Sequence, residues 1–594
     1  MCGIVGCILK EDENVGPTIF DCISRLEYRG YDSIGIATYS DDKIHVKKDK
    51  GKIKEVDKEL DLADMDGHSG IAHVRWATHG DPTKLNAHPH IDDDCTVAVV
   101  HNGIVDNYKE LREELKLEGH KFRSDTDTEV IPHLIRKFLD EGFDFEHAVR
   151  KTVDSIEGAY SFAAICADEP DKLIATHNQS PLIAGVSDDA FFVASDVPAI
   201  LKYTRNIIYP ETDELVIIDR QGMEIHDEFD NVVHRDMKVF KWTPEMAEKG
   251  GYDFYTIKEI LEQPTVVRRV LEQKDNIRQV IEDIGDVKRI CFVACGTSYH
   301  ASLSGKYLIE SLAGIPTDVI LASEFRFSAN TLDDETLVIL ISQSGETADS
   351  LKALDVANKT SKTLGIVNVE GSAITRKAQH VIITPAGPEI GVAATKTYVA
   401  QLTSVYLFAA LLSKNTELLS ELERIPEYIE EALEDIDYIK QLSQKYLFTR
   451  DFFYLGRGFS YPTALEGALK LKEITYIHCE GYAAGELKHG PLALIDEGIP
   501  VVVVIPPGDS YKKTMSNLQE VGARGANILA VGAANDEGIK EEATDVIEIN
   551  SNVNELIAPL VYIVPLQLLA FYISLGKGYD PDQPKNLAKC VTVE

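Results

Sequence analysis

The sequence predicts an α/β protein in three parts: a mixed, strand-rich amino-terminal domain followed by two tandem doubly wound α/β modules. Three observations carry this. Short apolar runs alternate with helical segments up to about residue 236. From about residue 285 onward, apolar runs alternate with amphipathic helices, the pattern of a parallel sheet with crossover helices. Within that second half the sequence repeats itself at an offset of 162 residues.

In the first part, "TVAVVHNGIV", "SFAAICA", "KLIATHN" and "AFFVASD" read as strands, and helices are expected around 16–27, 107–117 and 127–141. The stretch Lys238 to Pro264 breaks this pattern and reads as a connection. Beyond it, "RICFVACG", "ETLVILISQSG" and "LGIVNV" are strands of the first module. The repeat sets "CFVACGTSYHASL" on "FFYLGRGFSYPTAL", so Gly296 aligns with Gly458 and Ser298 with Ser460. Glu324 aligns with Glu486, and "LVILISQSGET" with "VVVVIPPGDSY". A helical stretch near 415–440 joins the copies. The apolar run Leu556 to Leu575 has the length of a membrane span, but Pro559, Pro565 and Gln567 interrupt it. It reads as a buried helix with a strand-like lead-in.

The chain has 594 residues, 44% apolar and 26% charged, the composition of a soluble globular protein. "CGIVGCIL" is too short for a secretory signal and lacks a basic region before it, so a cytoplasmic protein is expected. Nine cysteines without a paired spacing read as reduced thiols. A net charge of −37 argues against nucleic acid and anionic membranes as partners. It also requires that any phosphate site be built from helix N-termini and loop amides, or from a few placed cations.

Two stretches carry chemistry. Cys2 directly follows Met1, and methionine removal would leave one residue with both a thiol and a free α-amine. A buried core cysteine is the competing reading. "SQSGETADS" (Ser342 to Ser350) follows a strand and precedes a helix, is dense in hydroxyls, and contains a glycine that lets backbone amides approach a ligand. Thr297 and Ser298 offer the same chemistry at another strand end. The second copy has "PPGDS" there, with fewer hydroxyls and two residues lacking an N–H. Helix capping is the alternative reading of these serines and threonines.

In order along the first part stand "MCGIVG", "LEYRGYDS", "HVRWATHG", "HNGIV" and "SDTDTEV". Together they resemble the class II glutamine amidotransferases, N-terminal-nucleophile hydrolases of αββα architecture. "GTSYHA", "SQSGET", "GVAATKTY", "LEGALKLKEI", "AAGELKHGP" and the terminal "NLAKCVTVE" resemble the paired sugar isomerase (SIS) domains of the glutamine–fructose-6-phosphate aminotransferases. The resemblance spans essentially the whole chain. It implies an amidotransferase domain over 2–236, a linker over 237–270, SIS domains over 271–425 and 445–585, and a tail, 586–594, that closes the sugar site.

The resemblance implies that Cys2 attacks the glutamine amide, with its own α-amine, of reference pKa ~7.7–8.0, as base. Asn102 and Gly103 form the oxyanion hole. Arg75 pairs with the glutamine carboxylate and Asp127 with its ammonium, and Trp76, Thr78 and His79 complete the pocket. Asp125 offers the same helix-start chemistry as Asp127, and only the resemblance chooses between them. For the sugar, Lys589 forms the imine, His489 opens the ring and Glu473 moves the proton. Thr297, Ser298, Ser342, Gln343, Ser344 and Thr347 hold the sugar phosphate, with Val392, Lys470 and Ala588 contributing; Lys470 sits one turn before Glu473.

L-glutamine and fructose 6-phosphate are the implied substrates, a homodimer the implied assembly, and no cofactor is implied. His79, His88, His90 and His101 show no ligand spacing, so no metal is expected. Ammonia in neutral water is mostly ammonium, so a dry passage is implied, with Trp76 as its gate. Another class II amidotransferase and a non-catalytic SIS sugar-phosphate sensor are the competing functions. The first lacks its phosphoribosyl-diphosphate loop here, and the second its basic recognition helix.

Overall fold

The computed structural model describes residues 2–77 and 79–592. The chain forms two compact units, one of 1–247 with 588–594 and one of 248–587.

The amino-terminal unit holds two antiparallel sheets of eight and seven strands. Side chains alternate between faces along each strand, and both faces are buried. On Gly3–Leu9, Ile4 and Ile8 meet the second sheet; on Val97–Val105, Ala98 and Val100 meet the first, while Val97, Val99 and Val105 pack under helices. Those helices are Tyr108–Glu118, Val130–Asp140 and Phe145–Ser155. Helix Gly16–Ser24 packs against the strands Gly3–Leu9 and Ser69–Arg75 of the first sheet. The layers are therefore α, β, β, α. The stretch read as a connection contributes an edge strand, Lys238–Val239, paired with Asn206–Ile208, and later the helix Tyr255–Leu261.

The carboxy-terminal unit holds two five-stranded parallel sheets. In the first the spatial order is 317–321, 289–294, 336–342, 362–367, 380–383; the second repeats it with 478–483, 451–456, 500–505, 527–533, 545–549. Numbered by sequence, both are 2-1-3-4-5, so the strand order reverses between strands one and three, where doubly wound folds bind ligands. Continuous apolar runs such as Val501–Ile505 are buried on both sides, as parallel strands covered by helices require. One core joins both modules, with the helices Lys396–Leu412 and Ala558–Gly576 at its centre. Helices Thr416–Leu422, Ile425–Glu434 and Ile436–Ser443 link them.

The run Leu556 to Leu575 is helical and buried, without the expected strand-like lead-in. The side chain of Asn554 accepts the amides of Leu556 (3.0 Å) and Ile557 (3.4 Å), which turns the chain into the helix at once. Pro559 sits in the first turn, where its missing N–H costs nothing. All nine cysteines are free thiols.

Candidate functional site

The thiol centre is assembled at the edge between neighbouring strands. Pairing of Gly3 with Val74 brings Cys2 beside Arg75 and Trp76. The Trp76 amide donates to the Cys2 sulfur at 3.3 Å, and Arg29 Nε donates to the Cys2 carbonyl at 3.1 Å. Arg29 is itself fixed by Asp196 at 3.1 Å, which also accepts from the Tyr28 hydroxyl at 2.6 Å. Burial works against the Arg29 charge, but the Asp196 carboxylate outweighs it and holds the guanidinium pKa above its usual value.

Asn102 shows what this centre can do. Its Oδ1 lies 3.1 Å from His73 Nε2, which also reaches the His101 carbonyl at 2.9 Å. Burial depresses the His73 pKa to about 3, so the ring is neutral, and with two oxygens to serve Nε2 carries the hydrogen. That fixes the amide orientation and leaves Asn102 Nδ2 buried with no partner among the described residues. A buried, oriented, unused donor matches the requirement for holding an oxyanion. Gly103 follows at φ +121°, where a Cβ would sit 1.9 Å from the Ala159 carbonyl oxygen, so only glycine fits.

Asp127 is buried and accepts the Val105 amide at 2.8 Å, while Asp125 is exposed; neither caps the helix that starts at Val130. Arg75 holds the following loop through the carbonyls of His79, Gly80 (3.1 Å) and Asp81 (3.4 Å). Burial lowers the Arg75 pKa, opposed by the nearby Cys2, Asp32 and Asp127. Trp76 packs edge-on to Tyr31 at 5.5 Å, and His79 edge-on to Tyr108 at 6.0 Å. Thr78 lies outside the described residues. His88 stacks on His73 at 4.0 Å, and the His101 ring meets the Thr128 hydroxyl at 2.8 Å. Burial holds His88, His90 and His101 below their usual pKa as well.

The second centre lies in the carboxy-terminal unit, at the reversal point of the first module. Thr297 and Ser298 start the helix Gly296–Ala313; Ser342 to Thr347 lead into the helix Ala348–Ala357. The two preceding strands are neighbours, with Val293 paired to Leu340. The Ser342 hydroxyl accepts the Gly345 amide at 3.0 Å, and the Ser344 hydroxyl the Glu346 amide at 3.1 Å. Gly345 has φ +69°, and a Cβ there would meet the Ser372 hydroxyl at 2.1 Å. Val392 donates to the Asp582 carbonyl at 3.1 Å, and the Asp582 carboxylate takes the amides of Tyr255 and Thr256, each at 2.8 Å.

The second module's helix Ser460–Thr475 faces the start of the helix Gly296–Ala313 with buried charge. Glu466, Lys470 and Glu473 fall on one face at spacings of four and three. Lys470 Nζ lies 2.5 Å from Glu473, 3.4 Å from Glu466 and 3.1 Å from the Thr297 hydroxyl. Glu466 also accepts from that hydroxyl at 3.0 Å and lies 2.7 Å from His300 Nδ1. Burial alone would discharge Lys470, but Glu466 and Glu473 more than offset it and hold its pKa above the usual range. Thr297, Lys470 and Glu473 are thus brought together. The side chain of His489, at the exposed end of Ala484–His489, makes no hydrogen bond or ion pair among the described residues. Ala588 and Lys589 group with the amino-terminal unit and are half-buried.

Residues 73–202 match the glutamine amidotransferase domain family, and 283–411 and 449–575 match the SIS domain family. A glutamine--fructose-6-phosphate aminotransferase (isomerizing) of Methanothermobacter thermautotrophicus is 60% identical over 100% of both chains. The chain belongs to that aminotransferase family. The Aquifex aeolicus relative of the same name is 48% identical, again over 100% of both. Among solved structures, the C-terminal domain of glucosamine-fructose-6-phosphate aminotransferase from Francisella tularensis is 38% identical with a TM-score of 0.53, covering 57% of this chain and 100% of that one.

Against this family background, three residues escaped the sequence reading: His73, Glu466 and Glu555. His73 had a signal, a polar side chain between the apolar Ala72 and Val74 of the strand Ser69–Arg75. Glu466 shares the spacing of Lys470 and Glu473 and was legible as part of that face. Glu555 had none: its carboxylate takes the amides of Asp509 (2.9 Å) and Ser510 (3.0 Å) and the Ser510 hydroxyl (2.6 Å), filling the second module's loop from a distant segment.

Proposed function

We infer that this enzyme transfers the amide nitrogen of L-glutamine to D-fructose 6-phosphate and isomerises the product, giving D-glucosamine 6-phosphate and L-glutamate. The observation that carries this reading is the presence, in one chain related over its full length to such aminotransferases, of both a leading thiol centre with an unused amide donor and a buried lysine–carboxylate pair that meets the Thr297 hydroxyl.

In the first half-reaction the Cys2 thiolate attacks the side-chain amide carbon, with the α-amine freed by loss of Met1 as its base. Asn102 Nδ2 and the Gly103 amide hold the tetrahedral oxygen, ammonia leaves, and water hydrolyses the thioester to glutamate. Removing one such donor costs roughly 3–4 kcal/mol. Arg75 pairs with the α-carboxylate and Asp127 with the α-ammonium, and Trp76, Thr78 and His79 close the pocket. Water is released again when Lys589 condenses with the C2 carbonyl in the second half-reaction, so the two halves balance.

There the phosphate rests on Ser298, Ser342, Gln343, Ser344 and Thr347, with Thr297, Val392 and Ala588 around the sugar. His489 protonates the ring oxygen, Lys589 forms an imine at C2, and ammonia displaces the lysine. Glu473 then takes a proton from C1 and returns one to C2, while Lys470 keeps it ionised and in place. The reading includes a soluble, cytoplasmic homodimer, with functional segments 2–236, 271–425 and 445–585, a linker over 237–270 and a closing tail over 586–594.

Incubation with glutamine and fructose 6-phosphate tests it. Glucosamine 6-phosphate and glutamate are expected in equal amounts, and Cys2→Ala is expected to abolish both. Amino-sugar formation from glutamine that survives Cys2→Ala would reject the assignment of the nucleophile.

A further inference from the structure

Asp93, His120 and His133 converge outside both centres. Asp93 follows the strand His90–Ile91, His120 follows the helix Tyr108–Glu118, and His133 sits in the first turn of Val130–Asp140. One ligating atom from each lies within 4.8 Å of the other two. We propose that these three side chains bind a divalent transition-metal ion of the zinc class and clamp the two ends of the segment that carries Asp127.

The geometry is specific. His120 Nδ1 and His133 Nδ1 are 3.2 Å apart, and His120 Nδ1 is 3.9 Å from Asp93 Oδ2. Two nitrogens on a tetrahedral ion at about 2.0–2.1 Å lie about 3.3 Å from one another. Two imidazoles and one carboxylate form a recognised zinc ligand set, with water in the remaining position.

The surroundings favour a ligand over a plain imidazole pair. His133 is fully buried, and its Nδ1 faces another ring nitrogen, His120 Nδ1 at 3.2 Å, instead of an acceptor oxygen. Phe122 packs on the same ring at 4.6 Å and fixes its plane. Asp93 is oriented from outside by the Lys121 amide, which reaches both carboxylate oxygens at 3.3 and 3.2 Å. Ser124 to Thr128 run between His120 and His133, so an ion would brace the loop holding Asp127 from both ends.

The test uses the full-length chain, stripped with chelator and titrated with Co2+ and, separately, Zn2+. One Co2+ per chain is expected, with the intense visible bands of four-coordinate cobalt and no thiolate charge-transfer band. His120→Ala should abolish these bands. Asp93→Asn should weaken binding by about tenfold or more, and it keeps the test open should His120→Ala fail to fold. Zn2+ should raise the melting temperature of the wild type and leave that of His120→Ala unmoved. An imidazole–imidazole hydrogen bond alone predicts no saturable binding. That result, a thiolate spectrum, or equal binding by both variants would overturn the proposal.

Discussion

The two parallel-sheet modules share strand order, length and a repeat of 162 residues, yet they hold opposite chemistry at the same places. In the first, the loop after the third strand bonds its own hydroxyls to its own amides, Ser342 to Gly345 and Ser344 to Glu346. In the second, the matching loop is taken by a carboxylate of the protein itself, Glu555. The helices differ in the reverse sense. The positions matching Glu466, Lys470 and Glu473 are Ser304, Leu308 and Ser311 in the first module. On the function proposed above, one copy supplies an anion cradle and the other the acid–base pair. The two copies share one scaffold and differ in a handful of side chains at the same places.

The largest expected break in this division comes from Glu473→Gln. If the second module supplies the proton carrier, kcat for amino-sugar formation should fall by about 10²–10⁴-fold, while glutamate release from glutamine alone stays within twofold or so. A small change in kcat would move the acid–base role off this helix. Next comes a paired substitution across the repeat. Ser342→Ala should raise the KM for fructose 6-phosphate by about tenfold, the loss of one hydrogen bond to a charged group, and Ser510→Ala should leave it unchanged. Equal effects of the two would mean that the loops are not divided as described.

Glu555→Ala sharpens the comparison further. It vacates the second loop, exposing the amides of Asp509 and Ser510 to an outside anion. Isothermal titration with inorganic phosphate should then detect one more site per chain than in the wild type. Stability should drop by about 1–3 kcal/mol in phosphate-free buffer, the cost of orphaned amides, and added phosphate should restore part of it. No gain in phosphate sites would show that the loop lacks a cradle even when empty.

Most of the fold was legible because it rests on local pattern. Strand runs such as Val501–Ile505, and two of the three helices over the second antiparallel sheet, Tyr108–Glu118 and Val130–Asp140, follow from periodicity alone; Phe145–Ser155 was not read. The lead-in to Ala558 was misread because a short apolar run does not distinguish strand from helix, and Asn554 decided it through two hydrogen bonds. The site was legible where chemistry needs a particular residue type at a particular place, as at Cys2, or where spacing marks a helix face, as at Lys470 and Glu473. Pairings between distant segments were illegible: Glu466, readable as part of its helix face, meets Thr297 across 169 residues, and Glu555 meets Ser510 across 45. Nothing in the composition of either segment announces such a pairing.

The smallest expected effect concerns buried charge, which the second module's helix carries and the first module's does not. Lys470 has a folded-state pKa above its unfolded value of about 10.4, because Glu466 and Glu473 outweigh its burial. Below that pH both states hold the proton and the stabilisation is complete. Above it the unfolded chain releases the proton first, so stability falls with rising pH by up to about 1.4 kcal/mol per unit until the folded lysine also titrates. Other lysines and tyrosines titrate in the same window, so the useful quantity is a difference. The urea midpoint of the wild type should fall more steeply between about pH 9.5 and 11 than that of Lys470→Met, even though the variant starts lower for having left Glu466 without its buried cation. Parallel slopes would mean that folding does not raise the pKa of this lysine, and a shallower fall in the wild type that it is discharged in the native state; either result would remove the ion pair on which the division between the two modules rests.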